Sequence, residues 1–135
     1  MKDIYDFIGE KLSQILVKKE ELICSPEDFI LAEEIIFLFE TTMIRILPLA
    51  DTDELTVEYV DIVKEEKAEY FEALTLMPQY IGRKLSVVWN CVNTNGYSDM
   101  FIVGFDNLHP SLCIVSETSC LKLFEATQIK YNERA

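Results

Sequence analysis

The sequence predicts an α+β fold: a mostly antiparallel β-sheet of six or seven strands, with an N-terminal helix and a mid-chain helix packed on it. Two observations predict this class. Residues 84–131 consist almost entirely of strand formers and turn residues, which is typical of a β-meander. Residues 3–20 and 62–75 instead repeat their apolar positions at helical spacing. A chain of 135 residues suits one domain, 1–135, and can bury a core without a disulfide or a metal.

Both helices are predicted from apolar stripes. In the N-terminal helix, 3–20, acidic residues lie toward the start and Lys18 and Lys19 toward the end, which suits the helix dipole. Its stripe consists of Ile4, Ile8, Leu12, Ile15 and Leu16. The mid-chain helix, 62–75, ends before Pro78. Its apolar face consists of Val63, Tyr70, Phe71 and Leu74.

Three strands are predicted between these helices. Residues 29–39 end in a β-branched and aromatic run, which favours a strand buried on both faces. The second strand, 43–49, ends near Pro48, because proline donates no hydrogen bond to a sheet. A polar turn leads to a third strand at 55–60, whose alternating pattern indicates half exposure.

The meander is predicted from turn signals that separate apolar runs. Asn95-Gly96 predicts a hairpin turn, because both residues can adopt positive φ. The strand before the turn is expected to place Leu85, Val87, Trp89 and Cys91 on one face. The strand after it is expected to place Phe101, Val103 and Phe105 on one face, with Gly104 at a close contact or a bulge. Runs at 112–116 and 121–126 complete the sheet.

The charge is acidic and unevenly distributed. The chain has 24 acidic and 12 basic residues, a net charge of −12. Residues 1–72 hold 19 acids and seven bases, whereas 73–135 hold five of each, so the net charge lies in the first half. Nucleic acid and anionic membranes are therefore disfavoured as partners, since phosphate contacts require Lys or Arg. A basic protein partner is electrostatically allowed, although such a charge can also simply maintain solubility.

The cysteines and the N-terminus indicate a cytosolic protein. The four cysteines, Cys24, Cys91, Cys113 and Cys120, lack metal-ligand spacing, and we expect them to be reduced, buried and apolar in character. The first ten residues carry charges where a signal peptide would need an apolar core. No apolar run approaches the length that spans a membrane.

No sequence motif identifies a catalytic reaction or a metal site. His109 is the only histidine, and its neighbours Asp106 and Ser111 do not create the geometry of a catalytic triad, so a local turn role is favoured. The sequence from Asp51 resembles the start of a calcium loop, but Thr56 and Ile62 occupy the positions that require Gly and Glu. We therefore predict no catalytic residue, no metal and no cofactor.

An acidic block is the one candidate binding feature. Between Asp51 and Glu72 the chain has nine acids and two lysines. If these acids converge, they form a negative field that accelerates association with a basic partner. A solvated face is the alternative interpretation. The predicted partner-binding residues are Asp51, Asp53, Glu54, Glu58, Asp61, Glu65, Glu66, Glu69 and Glu72.

Short motifs cover about a third of the chain. They are Ile81-Gly82-Arg83-Lys84-Leu85, Val88-Trp89, Gly96-Tyr97-Ser98-Asp99, Phe105-Asp106 and Ser119-Cys-Leu-Lys-Leu-Phe. On these motifs the segment 81–126 resembles a family of small bacterial proteins of unknown function. In its size, acidity and lack of catalytic motifs, the chain also resembles bacterial immunity proteins. That resemblance implies a toxin with a basic surface as the partner.

Three functions follow from these observations. The first is a cytosolic immunity or inhibitor protein that neutralises a toxin through its acidic surface. The second is a small ligand-binding domain or enzyme, with a cleft beside the sheet lined by Trp89, Tyr97, Asp99 and His109. The third is a homo-oligomeric structural module, in which strand edges or the N-terminal helix form a homodimer.

Overall fold

Two five-stranded antiparallel sheets share one core and form the fold. The computed structural model describes residues 3–18, 29–49, 51–61, 72–73, 78–117 and 119–126. The strands are β1 (Leu12–Lys18), β2 (Phe29–Ala32), β3 (Glu34–Phe39), β4 (Thr42–Leu49), β5 (Glu54–Asp61), β6 (Glu72–Ala73), β7 (Leu85–Val92), β8 (Ser98–Phe105), β9 (Leu112–Glu117) and β10 (Cys120–Glu125). The first sheet has the order β5-β4-β3-β1-β6, and the second has the order β2-β10-β9-β8-β7.

The core lies between the two sheets. Each sheet contributes alternate side chains, because successive residues of a strand point to opposite faces. The largest fully buried side chains include Phe37 and Phe39 from the first sheet and Phe101 and Phe105 from the second. Phe7, which precedes β1, joins them and packs edge-on against Phe39 at 5.9 Å between ring centroids.

The predicted N-terminal helix is wrong. Residues Ile4–Asp6 form one 3-10 turn, Gly9 adopts a φ of +97°, and the chain then enters β1. In β1, Leu12 pairs with Phe39 and Gln14 with Leu38, so Ser13 is a bulged extra residue. The bulge brings Leu12 and Ile15, three residues apart, to the same core face. That spacing imitates a helical stripe, whereas the buried pair Ile15 and Val17 shows the period of a strand.

The α+β class is wrong as well, since the described chain is almost entirely antiparallel sheet. Of the predicted mid-chain helix, Glu72–Ala73 is strand β6, which pairs with Leu16 and Val17 of β1. The rest of 62–75 lies outside the described residues. In place of one sheet of six or seven strands, the described residues form ten strands in two sheets.

The predicted strand 29–39 is two strands in different sheets. β2 pairs with β10 in the second sheet, whereas β3 pairs with β1 and β4 in the first. Glu33 separates them, and its backbone N–H donates to the carbonyl of Lys18 at 2.7 Å. The expected burial on both faces holds for β3, where Ile35, Ile36 and Phe37 are all buried.

The strands 43–49 and 55–60 are confirmed as β4 and β5, and the meander is confirmed as β7 to β10. Gly96 has a φ of +89° in the hairpin turn between β7 and β8. Phe101, Val103 and Phe105 face the core as expected. Gly104 lies at a close contact, as predicted. A Cβ at this position would lie 2.5 Å from the carbonyl oxygen of His109 and 2.8 Å from the Val87 side chain.

The predicted face of β7 changes partway along the strand. Leu85 pairs with Phe105 and Val87 with Gly104, so Ser86 is bulged. Leu85 therefore faces the core, whereas Val87 and Trp89 lie on the opposite side and Val88 packs against the core. The bulge is stabilised by the Ser86 hydroxyl, which donates to the carbonyl oxygen of Gly104 at 3.0 Å.

Candidate functional site

A cleft of about 490 Å³ opens at one end of the two sheets, and we call it the turn-end cleft. Three connections meet there: the β4–β5 turn, the β7–β8 hairpin and the end of β9 before β10. Its described lining residues are Thr52, Asp53, Asn93, Asn95, Tyr97, Asp99, Ser116 and Glu117. The cleft thus combines residues from both halves of the chain.

Glu54 ties one wall of the turn-end cleft to the other. Its carboxylate accepts hydrogen bonds from the Thr52 hydroxyl at 2.9 Å and from the backbone N–H of Ser98 at 3.0 Å. The buried hydroxyl of Ser116 donates to the carbonyl oxygen of Glu54 at 3.1 Å. These bonds join β5 of the first sheet to β8 and β9 of the second. Glu54 is therefore a structural carboxylate that holds the cleft together.

Asn93 organises the hairpin side of the cleft. Its side-chain oxygen accepts hydrogen bonds from the backbone N–H groups of Asn95 at 2.8 Å and Tyr97 at 3.2 Å. Its side-chain nitrogen donates to Asp99 Oδ2 at 3.1 Å. An asparagine that bonds backbone groups two and four residues ahead stabilises a tight turn. The same side chain therefore shapes the hairpin and orients a carboxylate of the cleft.

The lining of the cleft is polar and acidic. Among the described lining residues, Asp53, Asp99 and Glu117 carry carboxylates and none carries a basic group. Asp53 has a φ of +59°, a backbone conformation that Asp and Asn tolerate better than most residues. Tyr97 is 42% exposed and adds an aromatic surface at the rim. Such a lining can accept hydrogen bonds from a cationic group and pack against its aliphatic or planar part.

The structure separates the predicted acidic block. Asp51, Asp53 and Glu54 lie together at the β4–β5 turn beside the cleft. Asp61 is at the far end of β5, roughly 23 Å away along the strand. Glu72 lies in β6, at the opposite edge of the first sheet and about 19 Å across four strand spacings. Glu65, Glu66 and Glu69 lie outside the described residues.

Glu58 belongs to a charge network on the outer side of the first sheet. Its carboxylate lies 3.9 Å from Arg45 Nη1, and Arg45 Nε also bonds to Glu34, which is only 8% exposed. This pairing across β3, β4 and β5 gives Glu58 a role within the sheet. The six described acids of the block therefore do not form one surface, and the part of all nine in partner binding stays a prediction.

The structure also separates the four residues that were expected to line a ligand cleft beside the sheet. Tyr97 and Asp99 line the turn-end cleft. Trp89 lies on the outer side of the second sheet, where it pairs with Ile102. His109 is exposed in the β8–β9 loop, which antiparallel connectivity places at the other end of the sheets. Sequence reasoning missed Asn93, Ser116 and Glu117, which no motif marked and only the pairing of the two sheets brings together.

The cysteines are partly as expected. Cys113 is buried, and Cys91 and Cys120 are half-buried. Burial, with a smaller effect of nearby Cys91, raises the pKa of the Cys113 thiol. Cys24 lies outside the described residues. Within the described ranges, no group of three or more His, Cys, Asp or Glu side chains is arranged to hold a metal ion.

Comparison with known proteins assigns the chain to a family. A family of unknown function, DUF6334, matches residues 1–130. The chain belongs to this family. The resemblance seen in 81–126 to small proteins of unknown function thus extends over nearly the whole DUF6334 chain. No curated protein and no solved structure matches it. None of the helices in the described part of the chain is long and apolar enough to cross a lipid bilayer.

Proposed function

We propose that this DUF6334 protein is a cytosolic immunity or inhibitor protein, which binds and neutralises a bacterial toxin by its acidic turn end. The observation that carries the proposal is the meeting of Asp53 with Asp99 and Glu117 around one cleft. These acids come from distant parts of the sequence, and the hydrogen bonds of Ser98 and Ser116 to Glu54 join the elements that carry them. A toxin with a basic surface is the partner that fits this charge.

The toxin would place Lys or Arg side chains against the turn end. Carboxylates at the rim raise the rate of encounter with a basic surface, and those inside the cleft accept charge-assisted hydrogen bonds once contact forms. The exposed ring of Tyr97 would supply apolar contact area, since tyrosine is enriched among residues that dominate binding energies. The mechanism is thus occlusion of a basic functional surface on the toxin.

The first experiment is growth rescue followed by binding kinetics. The product of the gene adjacent to this one is expressed with and without the protein, and the protein should restore growth. Association is then measured for wild type and for D53N/D99N, which removes two charges and keeps the shapes of the side chains. The control is E40Q/D106N, which removes two charges at the other end of the sheets. We expect about a tenfold slower association at low salt for D53N/D99N.

The control defines what contradicts the proposal. Glu40 lies in the β3–β4 turn and Asp106 directly follows β8, so both are at the end of the sheets opposite the cleft. Equal slowing in both double variants would mean that net charge matters and the turn end does not. Binding that neither variant changes would remove the acids from the mechanism. Growth that the protein does not restore would count against the immunity function itself.

A small-ligand site is the second candidate, because Tyr97 and Asp99 both line the cleft. Its volume of about 490 Å³ lies within the range of small-molecule sites. The acidic lining would favour a primary amine or a guanidine. The test is a thermal-shift titration with a series of such compounds, in which a ligand should raise the melting temperature of wild type but not of D99N. No shift with any cationic compound would exclude this class of ligand.

A further inference from the structure

The outer side of the second sheet carries a continuous row of apolar residues across all five strands. The strand register aligns Trp89, Ile102, Cys113, Phe124 and Phe29. In the adjacent row, Phe101, Ile114 and Leu123 are buried in the core. Because neighbouring residues of a strand point to opposite faces, the first row points away from the core. Four of the five side chains in the first row are partly exposed, and the fifth, Cys113, is buried.

A second outward row widens this surface, and we call the two rows together the outer apolar face. Met100, Val115 and Leu31 are its partly exposed apolar members, and Lys122 lies between the last two. Lys122 is the one charge of the two rows. Its ammonium nitrogen lies 4.6 Å from the centroid of the Phe29 ring, so its charge is directed onto an aromatic surface.

The two sheets differ in how their outer sides are charged. The outer side of the first sheet has the ion-paired Glu34, Arg45 and Glu58 near its middle. The second sheet draws four of its five strands from residues 73–135, where acids and bases are equal in number. The excess of negative charge lies in residues 1–72. Two copies that meet through their second sheets would therefore keep their acidic parts apart.

We infer that the outer apolar face binds the same face of a second copy and forms a two-fold symmetric homodimer. A two-fold axis lets one apolar patch serve both subunits, since the patch needs only to be complementary to itself. Sheets pack face to face about 10 Å apart in many proteins, and apolar side chains fill the gap. The turn-end cleft lies at the end of the sheets, so it stays accessible in such a dimer.

The size of the face sets the expected affinity. Five strands span about 20 Å between the outer strand axes, and two rows with their side chains cover about 14 Å along the strands. The patch is therefore roughly 300 Å² in projection, which is comparable to the largest apolar patch on many monomers and small for a stable interface. We expect a dimer that dissociates at micromolar concentrations.

The decisive variant is I102E, which places a charge near the middle of the outer apolar face. In a two-fold dimer it adds two buried, unpaired carboxylates, and the dissociation constant should rise about 100-fold or more. The matched control is L38E, which makes the same kind of change at an outward position of β3 in the first sheet. Sedimentation velocity at 200 µM should give close to twice 15.6 kDa for wild type and L38E, and a dilution series should place the midpoint of I102E about 100-fold or more higher in concentration than that of wild type.

A second measurement needs no substitution. Trp89 is the only tryptophan, and it belongs to the outer apolar face. Its emission should therefore shift to longer wavelength as wild type is diluted from 200 µM to 0.1 µM, with the midpoint that sedimentation gives. A wild-type protein that is monomeric at 200 µM overturns the inference, and this includes the case in which the chain covers its own face. A dissociation constant that I102E leaves unchanged overturns it too, and so does a dimer that forms without a change in Trp89 emission.

Discussion

Replacement of Tyr80 by phenylalanine removes one buried hydroxyl group and leaves the aromatic ring in place. Tyr80 is 7% exposed, and its hydroxyl donates to Glu125 Oε2 at 2.6 Å. Its ring centroid lies 5.7 Å from that of Phe105, a contact that phenylalanine keeps. A hydrogen bond to a charged group contributes about 1.5–3 kcal/mol. Glu125 is exposed and keeps a bond from Gln79, so we expect Y80F to lose about 1 kcal/mol at pH 8.

The pH dependence of this difference is the sharper test. Burial, followed by the hydrogen bond to Glu125 and the charge of Glu125, raises the pKa of Tyr80 well above its ordinary value. The stability that the raised pKa represents is fully present below the unfolded-state pKa and is lost as the pH rises above it. With an unfolded-state pKa of about 10, wild type should lose about 1.4 kcal/mol between pH 9 and pH 11 that Y80F does not lose.

Urea unfolding of wild type and Y80F at several pH values between 8 and 11 measures the difference between their free energies of unfolding. Burial also raises the pKa of Tyr59, but Tyr59 is present in both proteins and its contribution cancels in the difference. The advantage of wild type over Y80F should fall to zero between pH 10 and pH 11, and Y80F should be slightly the more stable at pH 11. A difference that stays constant over this range would refute the argument, because the hydroxyl of Tyr80 would then titrate alike in the folded and unfolded chains.

Two further predictions concern the second sheet. G104A should lower the free energy of unfolding by about 1–3 kcal/mol, because its Cβ would overlap the carbonyl oxygen of His109; urea unfolding checks this, and an unchanged stability would contradict the close contact. Cys113 should be the slowest of the three described thiols to react with a thiol reagent, since burial raises its pKa and limits access. Peptide mapping of the labelled protein checks this, and equal labelling of Cys113 and Cys91 would contradict it.

The sequence predicts the second half of the fold well and the first half poorly, for a physical reason. In β7 to β10 the turn residues and the alternation of apolar residues agree, and the strands are adjacent in both sequence and space. In β1 the bulge at Ser13 gives Leu12 and Ile15 a spacing of three residues. That spacing is common to a helix and to a bulged strand. Only Val17, fully buried two residues after Ile15, favours the strand, and it was not part of the predicted stripe.

The division of 29–39 between two sheets could not be predicted from periodicity. Both β2 and β3 are apolar strands, and the one polar position at which the chain passes between the sheets is within Glu33-Glu34. Two acidic residues within an apolar run do not indicate which sheet each of the flanking strands joins. The pairing of β2 with β10 joins segments from opposite halves of the chain, and such long-range pairings depend on the whole core. The single-sheet prediction failed for this reason.

The turn-end cleft shows why a run of acids does not locate a surface. Each residue of a strand adds about 3.3 Å to its length, so acids close in sequence can lie far apart, as Glu54 and Asp61 do at the two ends of β5. Acids distant in sequence meet where turns of two sheets converge, and the bond from the Ser98 N–H to Glu54 spans 44 residues. Because that bond and the Ser116 bond hold the walls together, the cleft does not depend on Asp53 and Asp99 for its shape. D53N/D99N should therefore unfold within about 0.5 kcal/mol of wild type, as surface substitutions usually do. A slower association in a variant of unchanged stability would then report on the charge of the cleft, whereas a loss of stability would show that these carboxylates are structural.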